Sequence, residues 1–205
     1  KREMGTLTPP PPPCYTGAKE RKGLFMKKKS RIVRDAALYA VFALYLLLLL
    51  LILFRQHHET RSLNLVPLRS VLQYITGADP LGGETSAVQA QFLQGLALSN
   101  LLGNLVLFFP LGVYVKLFWE RLPLWGSMLL PAGASLVVEV LQFITAWGVA
   151  DIDDLLLNAI GGALGVLVCQ GVYRLLGSWD KARTLVAVAA PVAGAAFFAI
   201  LIWMN

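Results

Sequence analysis

The sequence predicts an all-α fold: a polytopic transmembrane helical bundle of about five spans, with a surface helix in the first outer loop. Three observations carry this. Of the 205 residues, 57% are hydrophobic and 15% are charged, whereas a soluble domain is about a quarter charged. The apolar residues gather in runs long enough to cross a bilayer core, which takes about 20 residues. Finally, Trp119, Trp125, Trp147, Trp179 and Trp203 fall at or near the ends of those runs, as in the aromatic belts at membrane interfaces.

Three stretches are expected: a tail over 1–35, a transmembrane domain over 36–176 and a C-terminal span within 177–205. The tail is basic and Pro-rich. Pro9 to Pro13 has no apolar periodicity and reads as extended. The chain does not begin with Met, and Met26 followed by Lys27, Lys28 and Lys29 offers a natural start. Residues 1–25 are therefore expected to be an extension. Ten of the 18 Lys and Arg precede residue 35. A basic block against an apolar run is a cytoplasmic anchor beside anionic lipid, not a nucleic-acid surface.

The first span is expected over about Ala36 to Phe54. No small-residue cleavage site follows it, so it reads as a retained anchor and not as a signal peptide. Residues 55–97 form the one long loop. Within it, Val71-Leu72-Gln73-Tyr74-Ile75 suits a short helix lying on the membrane surface. Turn signals follow at Gly77, Asp79-Pro80 and Gly82-Gly83, and residues 87–98 are placed to extend the next helix outward. The remaining spans are expected over Leu98–Phe118, Leu124–Ala146, Asp154–Leu176 and Thr184–Trp203. Their short links make them antiparallel neighbours. With the N-terminus inside, the inner segments hold fifteen Lys and Arg and the outer ones three. This distribution predicts a cytoplasmic N-terminus.

Polar residues inside spans are costly, so each one calls for a reason. Here they converge on the outer half: Asn100, Gly103 and Asn104; then Ser135, Glu139 and Gln142; then Asp151, Asp153, Asp154 and Asn158. Glu139 and Gln142 share a helix face. Asp151, Asp154 and Asn158 fall within about 60° of one another on the fourth span, and their stripe continues through Gly161 and Gly165, which let a neighbouring helix approach closely. Glu139 lies roughly 10 Å below the end of its span at about 1.5 Å per residue. A lone ionised carboxylate there costs about 2.5–3.5 kcal/mol. It either keeps its proton, bonds an amide such as Asn104, faces water, or takes Arg61 or Arg69 as a counter-charge.

Bland readings stand beside this one. Asp151 and Asp153 suit capping of the fourth span, where carboxylates complement the helix dipole. Glu139 and Gln142 suit interhelical glue. His57 and His58 read as interfacial loop residues. Cys14 and Cys169 have no partner at metal-ligand spacing.

The chain resembles the VanZ-like family of small bacterial membrane proteins. The resemblance rests on four blocks in order. They are Asn64-Leu65-Val66-Pro67, the run Gly103 to Gly112, Glu139-Val140-Leu141-Gln142, and the run Asp151 to Gly162. It covers about residues 36–176. That family often carries an Arg between the third and fourth blocks, and residues 143–150 contain none here. The family is named for a protein giving low-level resistance to teicoplanin, so the resemblance implies a place in the bacterial cell envelope.

Taken together, Asn64, Asn104, Glu139, Gln142, Asp151, Asp154 and Asn158 are the candidate pocket residues. The expected partners are the lipid bilayer and a lipid-linked or cell-wall ligand. No nucleophile motif such as Gly-x-Ser-x-Gly and no His-Glu-x-x-His is present. Glu139 and Asp154 are chemically able to act as a general acid/base pair. No cofactor is called for, though carboxylate and amide oxygens would suit Mg²⁺ or Ca²⁺. A structural scaffold is the main alternative. A proton-coupled transporter is disfavoured, because the inner half of the spans is apolar and no internal repeat is visible.

Overall fold

The computed structural model describes residues 16–54, 63–77, 87–147 and 150–203. Six helices run in the order α1 (Thr16–Leu53), α2 (Arg69–Thr76), α3 (Ala87–Phe118), α4 (Leu124–Thr145), α5 (Ile152–Leu176) and α6 (Trp179–Trp203). Two two-residue strands, β1 (Leu63–Asn64) and β2 (Ala150–Asp151), pair in parallel. The polyproline stretch, Cys14, His57, His58, Arg61 and the Asp79-Pro80 turn lie outside the described residues.

Four helical stretches are long and apolar enough to cross a membrane: Leu24–Leu53, Val88–Phe118, Leu124–Thr145 and Ile152–Leu176. Helix α6 covers the fifth expected span but is not one of these four among the described residues. The chain is thus a multi-pass membrane-type helical bundle. Helix α1 begins at Thr16, well ahead of Ala36 and inside the expected tail. The physical reason is local: residues 16–35 hold no proline and are rich in Lys and Arg, both good helix formers. Helix α3 carries the extension over 87–98 that the sequence suggested. The surface helix also forms, as α2, with Leu72, Tyr74 and Ile75 exposed.

The bundle is built around the α3–α5 contact, its most extensive interface. Glycines make it possible. A Cβ at Gly112 would run into the Gly162 carbonyl, and one at Gly165 into the Phe109 carbonyl. The two backbones therefore touch, as small-residue stripes allow in lipid. Helix α4 closes on the same region through Pro131, which packs against Gly162.

Helix α1 lies along α3 through aromatic contacts. Tyr39 stacks on Phe118 at 4.7 Å, and Phe42 tilts against Tyr114 at 4.8 Å. The Tyr45 hydroxyl donates to the Leu107 carbonyl at 2.6 Å. One buried cluster joins Leu38, Tyr114, Leu117, Cys169 and Ala182; another joins Leu49, Phe108, Leu111 and Val115. Among the tryptophans, Trp119, Trp125 and Trp147 are exposed at helix ends. Trp179 is instead partly buried, stacked on Tyr173 at 4.2 Å.

The antiparallel order gives the bundle two ends of different chemistry. At one, the C-termini of α1 and α4 meet the N-terminus of α5. At the other, α1 near Arg34 meets the α3–α4 turn and the start of α6, and the contacts are ion pairs.

Candidate functional site

The site begins with the way α5 starts. A helix N-terminus leaves unpaired backbone N–H groups, and Asp151 answers them. Its backbone is extended, and its side chain accepts from the Asp153 N–H at 2.8 Å. Its other carboxylate oxygen accepts from Asn64 Nδ2 at 2.9 Å. Its own backbone N–H donates to Glu139 Oε2 at 2.8 Å. One residue thus ties the long loop, α4 and α5 together.

The Asn64-Leu65-Val66-Pro67 block is a clasp on this helix start. Leu63 and Asn64 pair with Ala150 and Asp151 in parallel register. Asn64 Oδ1 accepts the Val66 N–H at 3.2 Å. Just beyond Pro67, Leu68 takes a left-handed backbone, φ 61°, and its N–H donates to Asp153 Oδ1. Asp153 is almost wholly buried. A non-glycine residue in this conformation is held there by its surroundings, and here the bond to Asp153 does so.

The second group joins α3 to α5. Asp154 Oδ1 accepts from Asn104 Nδ2 at 2.6 Å and from Asn100 Nδ2 at 3.0 Å. Asn104 Nδ2 also lies 3.1 Å from Asn100 Oδ1. One turn deeper, Asn158 Nδ2 donates to Ser135 Oγ at 3.0 Å, joining α5 to α4. Both residues are fully buried, and Asn158 Oδ1 has no hydrogen-bond partner among the described residues. Gln142 Nε2 donates to the carbonyl of Leu53 at 2.9 Å, closing the end of α1.

All seven sequence-selected residues fall at this end of the bundle, though not in one ring. Asn64, Asp151 and Glu139 form one chain of bonds, Asn104 and Asp154 a second. Asn158 and Gln142 each bond elsewhere. Glu139 is not bonded to Asn104, one of the partners offered by the sequence; it takes a backbone N–H, while Asn104 goes to Asp154. Asp151 precedes α5 as its cap and does not extend the Asp154–Asn158 stripe. Arg69, a candidate counter-charge, is the first residue of α2, beside Leu68.

Among the described residues no group of three His, Cys, Asp or Glu is arranged to hold a metal ion. The carboxylates are instead turned to separate N–H and amide donors.

Sequence reasoning missed Leu68 and the β1–β2 pairing. The signal for the pairing was the Asn of the Asn64-Leu65-Val66-Pro67 block, a residue that favours local turns and caps. It also missed the ion-paired end. There Asp180 receives Arg31 at 2.8 Å and Arg34 at 3.2 Å, Arg34 reaches Asp35 at 2.8 Å, and Arg183 reaches Glu120 at 2.8 Å. Lys116 is buried beside them and donates to the Glu120 and Leu122 carbonyls at 3.2 and 2.7 Å, fastening the α3–α4 turn.

A family model described as VanZ/LLP1 matches residues 36–176. Protein VanZ of Enterococcus faecium is 30% identical over 67 residues, which are 33% of this chain and 42% of that protein. The matched stretch thus spans less than half the length of this relative. No solved structure gives a significant match.

Proposed function

We propose that this chain, which belongs to the VanZ/LLP1 family, binds or modifies a lipid-linked or cell-wall ligand of the bacterial envelope at the polar end of its bundle. One observation carries the reading. Residues from the long loop, α3, α4 and α5, far apart in sequence, bring amides and carboxylates together at that end. Buried polar groups are expensive in lipid and mark functional sites by default. The Asn158 side-chain oxygen, one turn below Asp154 and without a partner among the described residues, adds a buried acceptor. The positive-inside count favours a cytoplasmic N-terminus with the polar end facing outward. Envelope placement and the resemblance extend the proposal to teicoplanin susceptibility.

A scaffold role is the second reading, favoured by Gln142, whose side-chain amide bonds the Leu53 carbonyl within the protein. Glu139→Gln separates the two. The amide oxygen still accepts the Asp151 N–H, so the ligand reading expects normal membrane abundance with teicoplanin protection lost in a host expressing the chain. Normal abundance with unchanged susceptibility would sink the ligand reading. Collapse of abundance would favour the scaffold. Asp154→Asn, which keeps an acceptor for Asn104, serves as the second variant should Glu139→Gln fail to accumulate.

A further inference from the structure

A cleft of about 590 Å³ opens at the ion-paired end between α1, α5 and α6, lined by Arg31 and Arg34 of α1 and by Asp180, Lys181, Leu185 and Val188 of α6, among others. It is on the opposite end of the bundle from the amide cluster and takes no part in it. We propose that this cleft binds an anionic phospholipid, with the phosphate headgroup held at Lys181 and Arg31 and an acyl chain lying along Leu185 and Val188.

Charge complementarity is the first support. Arg31, Arg34 and Lys181 are met by Asp180 in the lining and by Asp35, which pairs with Arg34, so the rim keeps a net positive charge. Arg34 is largely buried and fixed by Asp35 and Asp180. Arg31 pairs with Asp180 yet keeps 56% of its side chain exposed. Lys181 is exposed and makes no ion pair among the described residues. A phosphate arriving at the rim meets two accessible cations without breaking the contacts of Arg34.

The second support is the pattern along α6. Lys181, Leu185, Val188 and Val192 follow at helical spacing on one face, and all four are exposed. The face runs from charge at the helix start to bare hydrocarbon toward the middle of the span. That is the profile of an amphiphile. A soluble anion would use only its first turn, and a zwitterionic lipid would gain little from the positive rim. Anionic headgroups gain about 1 kcal/mol per nearby Lys or Arg, or about fivefold in affinity.

The full chain, stripped of lipid in detergent and exposed to equal phosphatidylglycerol and phosphatidylcholine, tests this by native mass spectrometry. We expect phosphatidylglycerol to be retained at least fivefold over phosphatidylcholine. Lys181→Gln should lower that preference about fivefold. Leu185→Trp, which fills the cleft and keeps every charge, should lower it too. Arg121→Gln, in the α3–α4 turn, should leave it unchanged. Equal retention of the two lipids would overturn the proposal, as would a preference that Lys181→Gln leaves undiminished. Retention that inorganic phosphate abolishes and Leu185→Trp leaves intact would overturn the assignment to a lipid.

Discussion

The two ends of the bundle solve the same problem with different chemistry. At both, helices must be fastened where the apolar packing of the spans gives out. The ion-paired end uses guanidinium–carboxylate contacts, several of them half-exposed: Asp180 keeps 46% of its side chain open and Arg31 56%. The polar end joins carboxylates to amides and backbone N–H groups, and Asn104, Glu139, Asp153 and Asn158 are buried. Exposed pairs contribute about 0–1 kcal/mol and weaken with salt. A bond from a buried donor to a charged group contributes about 1.5–3 kcal/mol, and removing one partner leaves the other stranded. The lesson is that the end with fewer formal cations is the more firmly built.

The sharpest way to break that comparison is Asp151→Ala. The change removes the α5 cap, worth about 1 kcal/mol, together with the partner of Asn64, and it loosens the β1–β2 clasp. We expect the largest loss here, about 3 kcal/mol in all, read as a lowered thermal midpoint in detergent and reduced membrane abundance. A loss no larger than that of Asp180→Ala would overturn the ranking of the two ends.

The next effect belongs to Gln142→Leu. The substitution is close in volume and deletes the bond to the Leu53 carbonyl. The carbonyl is left without that donor, at a cost of about 1 kcal/mol. The midpoint should fall by less than for Asp151→Ala, and teicoplanin response should follow abundance alone, since the proposed ligand role does not depend on this bond. A response lost at full abundance would instead assign Gln142 to the ligand.

The sequence disclosed the broad plan of this molecule and less of its joinery. Span lengths follow from hydropathy because lipid forces each apolar run into a helix, and α4 and α5 end close to where the runs end. The Gly161–Gly165 approach was legible because small residues at that spacing have one use in lipid. Convergence of the polar blocks was legible from burial cost. Which carboxylate meets which donor was not. Asn64 reaches Asp151 across 87 positions, and no local periodicity encodes such a bond. Asp151, Asp153 and Asp154 look alike in a row, yet one caps, one holds Leu68 and one takes two asparagines. At the other end, Asp180 and Glu120 meet Arg31, Arg34 and Arg183 only because α1, the α3–α4 turn and the start of α6 come together. The early start of α1 was hidden because its first turns are charged, and hydropathy registers the membrane run alone.

The smallest effect sharpens the comparison through salt. Asp180→Asn deletes the carboxylate shared by Arg31 and Arg34 but leaves an amide oxygen in reach of both. With nearly half of the side chain in solvent, we expect about 0.5 kcal/mol at low ionic strength. The Debye length shrinks to about 3 Å at 1 M salt, so the difference between wild type and variant should vanish there. The penalty of Asp151→Ala, set by buried contacts, should persist across the same range. Thermal midpoints of both variants at low and high salt decide it: a salt-insensitive Asp180→Asn penalty would mean that this end, too, is held by contacts the solvent does not reach.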